Sequence, residues 1–175
     1  MERIYDVVVI GSGPSGQTVS FRLKKIGISV ALVENEMVGG ECHFWACIPS
    51  KALLRPPEVV TEASEVEGTK QAVHGMLSVE SVLSRRDKFV DQWDDSKEKG
   101  ALEKAGVTIV RGQGHLEGPR CVIVGSKNDG ITLVANQAVV LSTRIPKVKG
   151  LTDSCCYLYC VWYNFKRNPY LCLIF

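Results

Sequence analysis

Near its start the chain reads Ile4-Tyr-Asp-Val-Val-Val-Ile10-Gly11-Ser12-Gly13-Pro14-Ser15-Gly16, a β-branched run stopped by three spaced glycines. Valine and isoleucine concentrated over Ile4–Ile10 mark a strand, which the first glycine ends. Ser15–Ile26 places Val19, Leu23 and Ile26 on one helical face, with Gly27 where a helix-ending glycine belongs. Ser29–Glu34 carries a second strand signal. Strand, helix and strand within about thirty residues predict a right-handed βαβ unit with parallel strands.

The glycine spacing adds chemistry to that fold. Gly11 permits a tight turn, Gly13 lets backbone approach a pyrophosphate, and Gly16 lets the helix pack closely on the strand. Free N–H groups and the positive end of the helix then face the anion. Glu34 ends the second strand about 20 residues on, where a carboxylate accepts hydrogen bonds from an adenosine ribose. An acidic residue there also opposes a 2′-phosphate. The alternative is a tight turn beside an exposed glutamate. Agreement of strand, glycines, helix and acid favours a dinucleotide site.

Farther along, Val79, Val82, Leu83, Phe89, Val90, Trp93, Leu102 and Ala105 fit one or two amphipathic helices, with Gly100 as the expected break. Short strands are predicted over Val107–Val110, Cys121–Val124, Ile131–Val134 and Ala138–Leu141, parted by turns. A length of 175 residues suits one domain with a real core, and a net charge of +2 gives no footprint for a nucleic acid. Met1-Glu-Arg-Ile-Tyr-Asp6 lacks the pattern of a secretory leader, and no stretch is apolar for long enough to span a bilayer. A cytoplasmic protein, neither membrane-bound nor associated with nucleic acid, is expected. The composition shifts after Leu151: seven aromatics and four cysteines (Cys155, Cys156, Cys160, Cys172) crowd the last 25 residues. Residues 151–175 are therefore expected to be an atypical tail outside a domain of residues 1–150. No Cys or His pair at zinc-finger spacing accompanies those cysteines, so no metal site is expected.

Gly39-Gly40-Glu41-Cys42-His43-Phe44-Trp45-Ala46-Cys47-Ile48-Pro49-Ser50-Lys51 is the most specific stretch. Cysteines at this separation can close a small disulfide where a loop enters a helix. Without export signals such a pair is more often catalytic or metal-binding than structural. A helix N-terminus favours the thiolate, Lys51 adds positive charge one turn on, and Pro49 is tolerated in a first helical turn. Two buried free cysteines are the plainer alternative.

Taken together, the two motifs resemble the class I pyridine nucleotide-disulfide oxidoreductases, the family of dihydrolipoyl dehydrogenase, glutathione reductase and mercuric reductase. Their signature, Gly-Gly-x-Cys, four residues, Cys-x-Pro-Ser-Lys, is matched by Gly39, Gly40, Cys42, Cys47, Pro49, Ser50 and Lys51. The resemblance covers about residues 1–150 and implies a Rossmann-like α/β FAD-binding domain with a parallel βαβ core, a helical excursion and a small antiparallel β meander. It implies FAD as the cofactor, cradled by Gly11, Ser12, Gly13, Pro14, Ser15 and Gly16, with Glu34 and Asn35 at the adenosine ribose. Gly39, Gly40 and Glu41 would run along it, Lys51 would approach the flavin ring, and the Gly114 backbone would meet the adenine end. Cys47 would face the flavin and Cys42 would be the interchange thiol.

The implied activity passes electrons between NAD(P)H, FAD, the Cys42–Cys47 pair and a small disulfide or dithiol. A homodimer is the family's usual state. The family's second glycine motif, its later Gly-Asp dipeptide and its dimerisation domain with a catalytic histidine have no counterpart in this sequence. His43, His74 and His115 do not replace that histidine, and Phe44 and Ala46 stand where many relatives carry Asn and Gly. The alternatives are a truncated, inactive fragment of such an enzyme, or a non-redox dinucleotide-binding module.

Overall fold

The computed structural model describes residues 1–126, 129–143 and, as backbone, 171–173. The chain divides into two compact units, Met1–Gly40 with Ser96–Phe175, and Glu41–Asp95.

The first unit is built on β1 (Glu2–Ile10), α1 (Pro14–Lys25), β2 (Val30–Glu34), α5 (Ser96–Lys104) and β3 (Thr108–Arg111), followed by β4 (Gly114–Gly118), β5 (Cys121–Val124) and β6 (Ile131–Leu141). Leu171–Leu173 adds β7 beside β6. The sheet runs β3-β2-β1-β6-β5-β4. Its β3, β2, β1 and β6 are parallel, and β4, β5 and β6 form the antiparallel meander. This is the α/β architecture expected from the sequence. Of the expected tail, residues 151–170, 174 and 175 lie outside the described residues.

The unbroken apolar run of β1 follows from covering both faces of a parallel strand. Val7 and Val9 join Val30, Leu32, Leu102 and Val140 in one cluster, with Val19, Phe21 and Leu23 of α1 packed against it. Val8 and Ile10 point the other way, among Ala31, Val33, Val122, Val124 and Leu133. Both helices of this unit stop by the same device. Gly27 N–H donates to the Lys24 carbonyl and Ile28 N–H to Leu23; Gly106 and Val107 repeat the pattern on Glu103 and Leu102. Each is a glycine-based C-cap, with φ of +84° at Gly27 and +83° at Gly106.

Three expectations need correcting. Ile131–Val134 and Ala138–Leu141 are one strand, because the polar pair Asn136-Gln137 is a bulge rather than a turn. Tyr5 faces Ala135 and Val7 faces Ala138, so β6 carries one extra residue there. Gly114–Gly118 is a strand although its side chains are mostly exposed and carry no alternation. Gly100 lies inside α5 and not at a break. The chain turns instead at Asp91–Trp93.

The second unit holds α2 from Glu41 onward (Gly40–Phe44 in all), α3 (Cys47–Glu65) and α4 (Val79–Phe89). Ser78 caps α4 by accepting the Ser81 N–H at 3.2 Å. After Val90 the backbone of Asp91, Gln92 and Trp93 is left-handed, with φ of 48°, 55° and 61°. Among the described residues no helix is long and apolar enough to cross a membrane.

Two predictions follow from these contacts. A Cβ at Gly16 would lie 2.0 Å from the Gly11 carbonyl oxygen, whereas one at Gly27 meets nothing within 4 Å. Gly27→Ala is expected to cost about 1 kcal/mol for its left-handed backbone alone, and Gly16→Ala several times that, as read in urea melts. The second concerns acid. Asp6 Oδ2 accepts the Ser29 hydroxyl at 2.6 Å and the Ser29 N–H at 2.9 Å. These bonds hold the Asp6 carboxyl below its ordinary value of 3.8. The unfolded chain therefore binds this proton more readily, and the clasp stabilises above that value and is lost as pH falls through the folded one. Asp6→Asn is expected to flatten this part of the stability profile below pH 4, roughly where an unfolded carboxyl titrates.

Candidate functional site

Within the first unit, the glycine turn is closed by backbone contacts that leave no room for side chains. Gly11, at φ +99°, donates its N–H to Val33, and a Cβ on it would sit 2.4 Å from the Ser142 carbonyl oxygen. Pro14 then opens α1 with Gly13 as its N-cap and no side-chain cap bond. The N–H groups of a first helical turn have no partners inside the helix, and Pro14 has none to satisfy. Gly13 itself is unlike its neighbours: a Cβ there meets nothing within 4 Å. Its backbone, at φ −62° and ψ 178°, is one that any residue adopts.

Segment 37–40 closes over this turn. A Cβ at Gly40 would approach Gly13 Cα to 2.8 Å. Gly39 N–H reaches both the Ser12 carbonyl at 3.2 Å and the Ser12 hydroxyl at 3.3 Å. Glu34, at the end of β2, turns its carboxylate to the same place. Its Oε2 accepts the Ser12 N–H at 2.8 Å and the Ser12 hydroxyl at 2.6 Å, and its Oε1 accepts the Glu36 N–H at 2.8 Å. Asn35, the next residue, is exposed. Gly114 opens β4, where a Cβ would press on Val33 and Ile10 at 3.1 and 3.2 Å. The structure thus brings Gly11–Gly16, Glu34, Gly39 and Gly40 together, around an open helix N-terminus beside a carboxylate.

Within the second unit, Cys42 lies on α2 and Cys47 is the first residue of α3; both are half-buried. Trp45 and Ala46 N–H groups both fold back to the Glu41 carbonyl at 2.8 and 2.7 Å, which fixes the short turn between the helices. Pro49 falls in the first turn of α3, where its missing N–H costs nothing. Phe44 is fully buried and makes an edge-to-face contact with His43, at 4.5 Å between centroids. Lys51 is exposed and, with Ile48, Ala52, Leu54, Arg55, Glu58, Arg85 and Phe89, lines an open cleft of about 360 Å³. Arg85 stacks on Phe89 at 4.5 Å. His43 Nε2 and Asp91 Oδ2 are 3.1 Å apart, a pair invisible in the sequence because 48 residues separate them.

A family model for pyridine nucleotide-disulphide oxidoreductases matches residues 5–156. The chain belongs to this family. A dihydrolipoyl dehydrogenase from Rhizobium etli is 32% identical over 129 residues, which is 73% of this chain and 27% of the relative. One from Bacillus subtilis is 35% identical over 154 residues, 82% of this chain and 32% of the relative. The chain thus spans about a third or less of the curated relatives it matches. A solved Cu(II) complex of the HOCl-induced flavoprotein disulfide reductase RclA from Escherichia coli superposes with a TM-score of 0.61 at 24% identity. The match covers 81% of this chain and 29% of that one, and confirms the fold. The family is an FAD-dependent class of enzymes.

Because Gly13 combines permissive backbone with open space, Gly13→Ala separates binding from stability. It is expected to leave stability unchanged or raise it by up to about 1 kcal/mol. On the expectation that a pyrophosphate approaches this helix end, nucleotide affinity should fall by about tenfold or more, because the new methyl would stand in its way. Urea melts and nucleotide titrations of the same preparation check both halves.

Proposed function

We propose that residues 1–150 are the cofactor-holding and thiol-bearing part of an FAD-dependent disulfide oxidoreductase of the dihydrolipoyl dehydrogenase type, with 151–175 an appended segment. Its partners on this reading are NAD(P)H and a small disulfide or dithiol, in a cytoplasmic, homodimeric enzyme. The observation that carries the proposal is Cys47, a half-buried cysteine opening a helix five residues after a second half-buried cysteine at Cys42.

The residues of the first unit fit a dinucleotide: Gly13 leaves open space at the N-terminus of α1, and Glu34 keeps an acceptor on Oε1. Gly13, Ser15 and Gly16 would take the pyrophosphate on backbone N–H groups, in a turn that Gly11, Ser12 and Pro14 shape. Glu34 and Asn35 would take the ribose, Gly114 the adenine end, and Gly39, Gly40, Glu41 and Lys51 the remainder. FAD, when bound, supplies two-electron transfer between a nicotinamide and a thiol pair.

The thiol chemistry belongs to the chain itself. The Cys42 thiolate attacks one sulfur of the substrate disulfide, forming a mixed disulfide and expelling the first substrate thiolate. Cys47 thiolate then attacks Cys42 Sγ, which expels the second thiolate and leaves a Cys42–Cys47 disulfide.

Gel filtration after incubation with FAD is expected to yield a yellow protein absorbing at about 450 nm, as oxidised flavins do. A colourless protein overturns the cofactor assignment. In a background whose remaining cysteines are serine, the reduced chain should release both thiols of a small disulfide. Cys47→Ser should stop at the mixed disulfide and Cys42→Ser should release neither, as followed by mass spectrometry.

A further inference from the structure

Ser12 occupies the variable position between the first two glycines, yet it is fully buried and every polar atom it offers is engaged. Its N–H and hydroxyl both go to Glu34 Oε2, at 2.8 and 2.6 Å. Its hydroxyl oxygen accepts from Gly39 N–H at 3.3 Å. Its carbonyl accepts from Gly39 N–H at 3.2 Å and from the Gln17 side-chain amide at 3.1 Å. Since Gly39 N–H supplies the proton on one side, the Ser12 hydroxyl proton must point at the carboxylate, and its orientation is fixed.

That leaves Glu34 with a definite remaining capacity. Each carboxylate oxygen offers about two acceptor sites. Both on Oε2 are taken by Ser12. On Oε1 one is taken by the Glu36 N–H. The carboxylate is therefore pinned by one edge, with its remaining acceptor on Oε1.

We propose that Ser12 is a positioning residue for ribose recognition: its hydroxyl locks Glu34 so that Oε1 alone meets a ribose hydroxyl of the bound dinucleotide. The inference rests on the dinucleotide reading above and is independent of whether the ligand carries a flavin. Without the hydroxyl, Glu34 keeps the Ser12 N–H and Glu36 N–H but loses the shortest of its three bonds, and the carboxylate must be ordered at the ligand's expense. A hydrogen bond to a charged group is worth enough that its loss should weaken binding about tenfold.

The test uses ADP, which carries the adenosine ribose and pyrophosphate shared by FAD and NAD, against 2′,3′-dideoxy-ADP, which lacks both hydroxyls. Calorimetric titration of the full chain should show Ser12→Ala weakening ADP about tenfold and leaving the dideoxy analogue unchanged. Glu34→Gln should behave alike, and Ser12→Ala in the Glu34→Gln background should add little, since the two act as one unit. Equal weakening of both ligands would make Ser12 merely a part of the turn and overturn the proposal. So would unchanged or tighter ADP binding, or losses that simply add. ADP binding without FAD uptake overturns the flavin assignment only and leaves these outcomes decisive. Failure of the unsubstituted chain to bind ADP removes the dinucleotide site and Ser12's role together.

Discussion

The architecture depends on a backbone-to-backbone contact that excludes every side chain. Gly16 sits so near the Gly11 carbonyl that a methyl group there would overlap its oxygen, and Gly11 itself is pressed on Ser142. This contact sets how close α1 stands to the ends of β1 and β6, and hence where the helix N-terminus opens. A few ångströms of extra spacing would carry the first-turn N–H groups away from Glu34 and undo the cradle. The same exclusion extends to Gly40 against Gly13, so the segment leading to Cys42 is laid on the turn with no side chain between them.

That economy explains why so much was legible in the sequence. The βαβ unit was read from Ile4 to Glu34 because every device in it is local: a β-branched run, spaced glycines, a helical stripe and a capping glycine. The two cysteines were read because their spacing and the Pro-Ser-Lys that follows are likewise contiguous. What escaped depends on partners far along the chain. The bulge at Asn136-Gln137 resembles a turn until β1 is laid beside it. The strand Gly114–Gly118 has too few apolar residues to announce itself and is defined by pairing with β5. The His43–Asp91 pair carries no local signal at all. Gly100 misled for the converse reason: a glycine inside a helix costs only about 1 kcal/mol, which packing overrides.

Ser12 shows that a motif can be recognised without all its roles being read. The variable position of the glycine turn carries no fixed chemistry in sequence terms, and only the coordinates of Glu34 and Gly39 show that its hydroxyl is spoken for. Glu34 is likewise more than a charge at a strand end. It arrives already bonded to two segments of the cradle, which reduces the side-chain freedom that binding would otherwise remove.

The reversal after α4 has its own implication. Three successive non-glycine residues in the left-handed region form an arrangement that L-amino acids resist by roughly 1–2 kcal/mol each. Side chains hold it: Trp93 Nε1 donates to Asp87 Oδ1 at 3.1 Å, Arg86 pairs with the same oxygen at 2.7 Å, and Asp91 meets His43. The Asp87 carboxyl is held below its ordinary value by Arg86 first and Trp93 second. This corner therefore behaves like a sprung latch whose catch is ionic. Proton uptake by Asp87, rather than loss of apolar contact, is the natural way for it to let go, so acid should loosen the corner at this carboxylate.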